Sequence, residues 1–131
     1  MLTGGCFCGA IRYETSAEPF HETICHCEDC RRAVGAHAVA WFSVPRAALV
    51  LKGEPTRFQS SARAVRSFCG LCGTSLLYES DAQPGEVDIT LASLDQPNVV
   101  PPKDHTMAAG KLGWDLICDG LPSYARLRPG Q

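Results

Sequence analysis

The chain has no apolar run approaching the roughly 18 residues that a membrane-spanning helix needs. It has no surplus of positive charge either: 12 Lys and Arg stand against 14 Asp and Glu, a formal net charge of −2 with a pI near 6.0. A balance of that sign gives no drive toward phosphate backbones, so neither nucleic acid nor membrane is an expected partner. The opening "MLTGGCFCG" lacks the basic patch and apolar stretch of a secretory leader, which leads to the expectation of a cytoplasmic chain in a reducing compartment. Repeats, linkers and low-complexity segments are absent too. What remains is 131 residues, 45% hydrophobic and 20% charged, the size and composition of a single soluble domain over residues 1–131.

Against this ordinary background the cysteines stand out, at positions 6, 8, 25, 27, 30, 69, 72 and 118. Disulfides are the plain alternative, but they persist mainly in oxidising compartments, and a domain of this size does not need them to build a core. Clustering fits metal binding better. Zinc takes four ligands in tetrahedral geometry, and thiolates supplied as close pairs from separate segments satisfy it. "GGCFCGA" offers Cys6 and Cys8, and "FCGLCGT" offers Cys69 and Cys72 followed by Gly73. In the second motif glycine permits the φ > 0 turn that aims backbone N–H groups at sulfur. Together the two pairs make a four-thiolate structural site, whose loss should unfold the chain.

"CHCEDC" then leaves Cys25, Cys27 and Cys30, three thiolates near enough in sequence to converge on one ion. Three is the number that a catalytic zinc takes from protein, keeping a fourth position for water or substrate. His26 could close that position, but a side chain flanked by two ligands is expected to point elsewhere. Cys118, in "WDLICDG", is expected to be a small buried hydrophobe.

Short alternating or β-branched segments read as strands: "AIRYE", "HAVAWFSV", "ALVLKG", "TRFQS", "AVRSFC", "TSLLYE" and "EVDITLA". "GEP", "DAQPGE" and "DQPN" supply the turns between them. "EDCRRAVG" is the single short helix, with Asp29 as the expected cap and Gly35 as the stop. The expectation is a mainly β domain of several short antiparallel sheets with one helix. Cys30 falls in the first helical turn, where unpaired N–H groups favour a thiolate. Arg31 and Arg32 beside it are either a solvated face or an anchor for a ligand carboxylate. Alternation nominates Trp41, Phe42, Phe58, Phe68, Tyr78 and Leu91 for the core. His37 opens an expected strand, and His105 sits in a loop-like stretch that could face a pocket.

"GGCFCGAIRYE", "CHCEDCRRAVG", "FCGLCGTSLLYE" and "GWDLICDGLPSY" resemble, in order and spacing, the glutathione-dependent formaldehyde-activating enzyme family, which includes centromere-protein-V-like domains. The resemblance implies a zinc-stabilised, tent-like β fold with two zinc ions per chain. It implies that Cys6, Cys8, Cys69 and Cys72 hold a structural zinc, and that Cys25, Cys27 and Cys30 hold a catalytic one. The implied activity is that of a carbon–sulfur lyase joining glutathione, or a related small thiol, to formaldehyde. Trp114 and Asp115 match the late motif, with Trp114 expected in the core. Two other readings compete: a non-catalytic zinc module that binds a protein partner, and a thiol redox sensor using Cys30 and Cys27.

Overall fold

The computed structural model describes residues 1–131. Ten strands alternate with turns: β1 (Leu2–Gly5), β2 (Arg12–Thr15), β3 (Phe20–Cys25), β4 (Val39–Pro45), β5 (Val50–Lys52), β6 (Thr56–Ser61), β7 (Ala64–Phe68), β8 (Ser75–Ser80), β9 (Glu86–Thr90) and β10 (Asp104–Thr106). One helix, α1 (Glu28–Val34), follows β3. The strands form a three-stranded sheet in the order β1-β2-β5 and a seven-stranded sheet in the order β10-β3-β4-β9-β8-β7-β6. Every pairing is antiparallel except that of β10 with β3, which is parallel. The mainly β class with one helix is as expected, though one sheet is long and mixed. No helix is long and apolar enough to cross a membrane.

Register sorts the residues of the large sheet onto two faces, because successive side chains in a strand point opposite ways. Ser67, Leu77, Ile89 and Phe42 lie in one cross-strand row, and all four are buried in the direction of the main core. That core of 14 residues includes Phe42, Val44, Leu76, Leu77, Val87 and Ile89, together with Cys6 and Cys69. Burying each large aliphatic or aromatic side chain there stabilises by about 1.5–3 kcal/mol. The adjacent row, Arg66, Tyr78, Asp88 and Ser43, points to the other face. There a second cluster of Cys25, Cys30, Val39 and Trp41 packs with Tyr78 and Met107.

Seven strands coincide with expected segments; β1, β3 and β10 were not foreseen. In β3 the pattern is interrupted by a register shift between Phe20 and Thr23, with His21 at φ 51°, so period-two alternation fails where it would be read. In β10 the three residues are too few to show a period, and His105, expected in a loop, is a buried strand residue there. Helix α1 is capped by Cys27, whose Sγ accepts the Cys30 N–H at 3.3 Å, rather than by Asp29. Cys27 is the last extended residue, so Asp29 is already inside the helix. Gly35 ends it at φ 74° as expected.

The core expectations hold for Trp41, Phe42 and Leu91, while Phe68 and Tyr78 are only half-buried. Phe58 is corrected outright: it is 61% exposed, because β6 is the sheet edge and all six of its residues face solvent. Trp114 is 71% exposed, and Cys118 is exposed rather than a buried hydrophobe. Both belong to the segment after β10, which lies on the surface without entering a sheet of its own.

Candidate metal centres

Cys6 and Cys8 follow β1, and Cys69 and Cys72 bracket the turn between β7 and β8. Their four sulfurs lie within 4.8 Å of one another. Cys6 Sγ is 3.6 Å from Cys8 Sγ, and Cys8 Sγ is 3.7 Å from Cys69 Sγ. A tetrahedron with zinc–sulfur bonds of about 2.3 Å has edges of about 3.8 Å, so the donor set fits that ion; all eight cysteines are free thiols. The turns explain the convergence. The Ile11 N–H donates to Cys6 Sγ at 3.2 Å, and Gly9, at φ 83°, lets the chain double back. On the other side Gly73, also at φ 83°, donates to the Cys69 carbonyl at 2.8 Å. The Thr74 hydroxyl and neighbouring backbone N–H groups bring the Cys72 thiol down to about 5, which favours the thiolate that a metal requires.

Cys25 ends β3, Cys27 caps α1 and Cys30 sits in its first turn, which brings their sulfurs within 4.8 Å of one another. Three thiolates again suit a soft or borderline divalent ion such as zinc. Hydrogen bonds from the Cys25 and Cys30 thiols, and from the Cys30 N–H, hold the Cys27 thiol well below its ordinary value. These cysteines line a cavity of about 330 Å³, together with Trp41, Arg66 and Tyr78. A volume near the lower end of the usual ligand-pocket range, roughly 300–1,000 Å³, suits a small metabolite. No protein nitrogen or carboxylate joins the three sulfurs as a fourth ligand group.

Arg66 is a polar residue of this site that sequence reasoning missed. Its guanidinium lies over the Tyr78 ring, 4.8 Å from the centroid, and its Nη2 donates to Cys30 Sγ at 3.6 Å. In "AVRSFC" it reads as a solvent-facing strand residue; only the covering of that face by α1 and its neighbours buries it. Arg31 and Arg32, the sequence candidates, do not line the cavity. Arg31 Nε donates to the His26 carbonyl at 3.4 Å, and Arg32 pairs with Glu28 on the exposed helix face.

His26 points away from the sulfurs, as its neighbours' alternation demands. It is 1% exposed, and its Nε2 is 2.9 Å from Nδ1 of His105. His105 Nε2 donates in turn to Asp119 Oδ2 at 2.8 Å. On the other side His26 Nδ1 is 3.7 Å from Asp115 Oδ2, which His37 Nε2 approaches at 4.0 Å. His37 precedes β4 rather than opening it; its ring lies near that of Trp114, with centroids 5.8 Å apart. The late "GWDLICDG" stretch therefore holds the back of β10 through Asp119, with Asp115 close to His26. None of His26, His37, His105, Trp114 or Asp115 lines the cysteine cavity.

The sequence profile of the family described as "Glutathione-dependent formaldehyde-activating enzyme" matches residues 1–109. A putative glutathione-dependent formaldehyde-activating enzyme of Halomonas elongata is 27% identical over 124 residues, covering 87% of this chain and 79% of that protein. An uncharacterized lyase of Schizosaccharomyces pombe is 31% identical over 75 residues, 57% of this chain. The match spans only 55% of that protein's length. A crystal structure of a Rhodobacter sphaeroides protein superposes with a TM-score of 0.59 at 22% identity, covering 93% of this chain and 98% of that one. That likeness is one of fold.

Proposed function

The chain belongs to the glutathione-dependent formaldehyde-activating enzyme family, and on that premise we propose that it is a zinc-dependent carbon–sulfur lyase-type enzyme joining glutathione, or a related small thiol, to formaldehyde. The observation that carries this reading is the contrast in ligand number. Four cysteines complete one tetrahedral set, while Cys25, Cys27 and Cys30 make three of four and line a cavity of about 330 Å³. In this reading Cys6, Cys8, Cys69 and Cys72 hold a structural zinc, and the trio holds the catalytic one.

When bound, zinc supplies the Lewis acidity that keeps a thiol deprotonated near neutral pH. The chain's own groups set the conditions around it. The Cys30 N–H donates to Cys27 Sγ and Arg66 Nη2 to Cys30 Sγ, so two of the three sulfurs are held in place by hydrogen bonds. Trp41, Tyr78 and Met107 flank the trio with apolar surface, which limits competing water. In the addition the sulfur lone pair of the substrate forms the carbon–sulfur bond. The carbonyl π pair then moves onto oxygen, which takes a proton from solvent.

The test is the rate at which glutathione and formaldehyde exchange with their adduct, followed by exchange NMR for wild type and for Cys27→Ser. Because the reaction also runs uncatalysed, the expected result is an excess rate in wild type that the variant loses. No excess in protein carrying two zinc ions would sink the named activity.

A second reading, a non-catalytic zinc module that binds a protein partner, draws on Phe7 and Leu71. These large apolar side chains lie within the two cysteine pairs of the four-sulfur cluster and are 93% and 83% exposed. Replacement of Phe7 by Ser leaving adduct exchange intact would favour the enzyme over this module.

A further inference from the structure

Arg66 is 8% exposed, and its Nη1 has no hydrogen-bond partner. A guanidinium stays charged under all ordinary conditions, and leaving one of its N–H edges dry and unpaired costs stability. The other edge faces Cys30 Sγ, so the group lies within reach of whatever binds beside the three cysteines. Resting on the thiol reading above, we propose that Arg66, which lines the cavity, is the residue that selects among thiols, taking a carboxylate of the ligand on its guanidinium. The substrate class is then a small thiol acid rather than any small thiol.

Three further observations support this assignment. Arg66 lies in a cross-strand row with Tyr78, Asp88 and Ser43 on the cavity face. Two inter-strand spacings place Asp88 about 10 Å along the row, where its Oδ1 accepts from the Ser43 hydroxyl at 2.6 Å. A negative group at one end and a guanidinium at the other orient an acidic ligand with its carboxylate toward Arg66. Asp29, an exposed residue in the cavity wall, makes no ion pair with Arg66, so the guanidinium is not already taken by it. The planar fork matches a carboxylate in shape as well as charge. Arg66 also offsets the negative charge of the thiolates, and that role alone would not distinguish one thiol from another.

The experiment measures binding to protein confirmed to hold two metal ions per chain. Trp114→Phe leaves Trp41, in the cavity wall, as the single tryptophan reporter. The probes are 3-mercaptopropionate and its uncharged amide. Wild type is expected to bind the acid at least roughly tenfold more tightly than the amide, the scale of one charge-assisted hydrogen-bonded contact. Arg66→Gln should bring that ratio to about one. Arg66→Lys keeps the charge without the fork, and should give an intermediate ratio; it decides the matter if the Gln variant loses its metal. Equal binding of both probes by wild type, or an unchanged ratio in the variants, overturns Arg66 as the selector while leaving thiol binding intact. Binding of neither probe overturns the thiol reading and this inference with it.

Discussion

The two cysteine clusters differ in how the chain assembles them. The four-sulfur cluster joins residues 6 and 8 to residues 69 and 72, and two of its members, Cys6 and Cys69, belong to the main core. The three-sulfur cluster comes from six consecutive residues at one strand end and one helix start, on the opposite face of the sheet, beside a cavity. A cluster that closes long loops contributes to holding the fold together, because the loops it ties would otherwise be free. A cluster already brought together by local geometry contributes little to global order, and so can spend its coordination on something else.

The largest expected effect comes from breaking the first cluster. On the proposed assignment Cys69→Ser removes a buried ligand, and structural zinc sites supply about 10–16 kcal/mol of apparent binding energy, comparable to the whole stability of a domain of this kind. The expected outcome is a chain without a cooperative thermal transition and with little soluble yield. Cys27→Ser should leave a folded protein with one zinc fewer by metal analysis and a melting temperature within several degrees of wild type. If both variants unfolded alike, the division of labour between the clusters would be wrong. His105→Ala leaves His26 and Asp119 without their shared partner behind the three-sulfur cluster. The expected loss is about 1–3 kcal/mol, seen in denaturant unfolding with both metals retained. Smallest of all, Phe58→Ser on the exposed edge strand should shift stability by no more than about 0.5 kcal/mol, where a core phenylalanine would cost several.

Much of this contrast is legible in the sequence, because metal ligands in close spacing are a local signal and a glycine after C-x-x-C states its own turn. The seven strands with clean alternation are legible for the same reason. What escapes is what depends on pairing between distant segments. His26 can be seen to point away from its neighbours, but that it meets His105 follows only from the parallel pairing of β3 with β10, where Ile24 lies opposite His105. Arg66 looks like a solvent-facing strand residue until Cys30 of the helix and the Tyr78 ring pack against it. Phe58 and Trp114 mislead in the opposite sense, since hydrophobicity alone does not say which strand is at an edge or which segment stays on the surface.

The separation between the clusters along the chain also sets an order in time. During synthesis the three-sulfur set is complete once Cys30 has emerged, whereas the four-sulfur set waits for Cys72, 42 residues later. At about 5–20 residues per second that interval is roughly 2–8 s. Throughout it Cys6 and Cys8 are half a site, and Cys25, Cys27 and Cys30 lack the walls that Tyr78 and Thr106 later provide. On the proposed assignment, the nascent chain therefore completes its three-ligand set first, and the four-ligand set that would fasten the fold is completed afterwards.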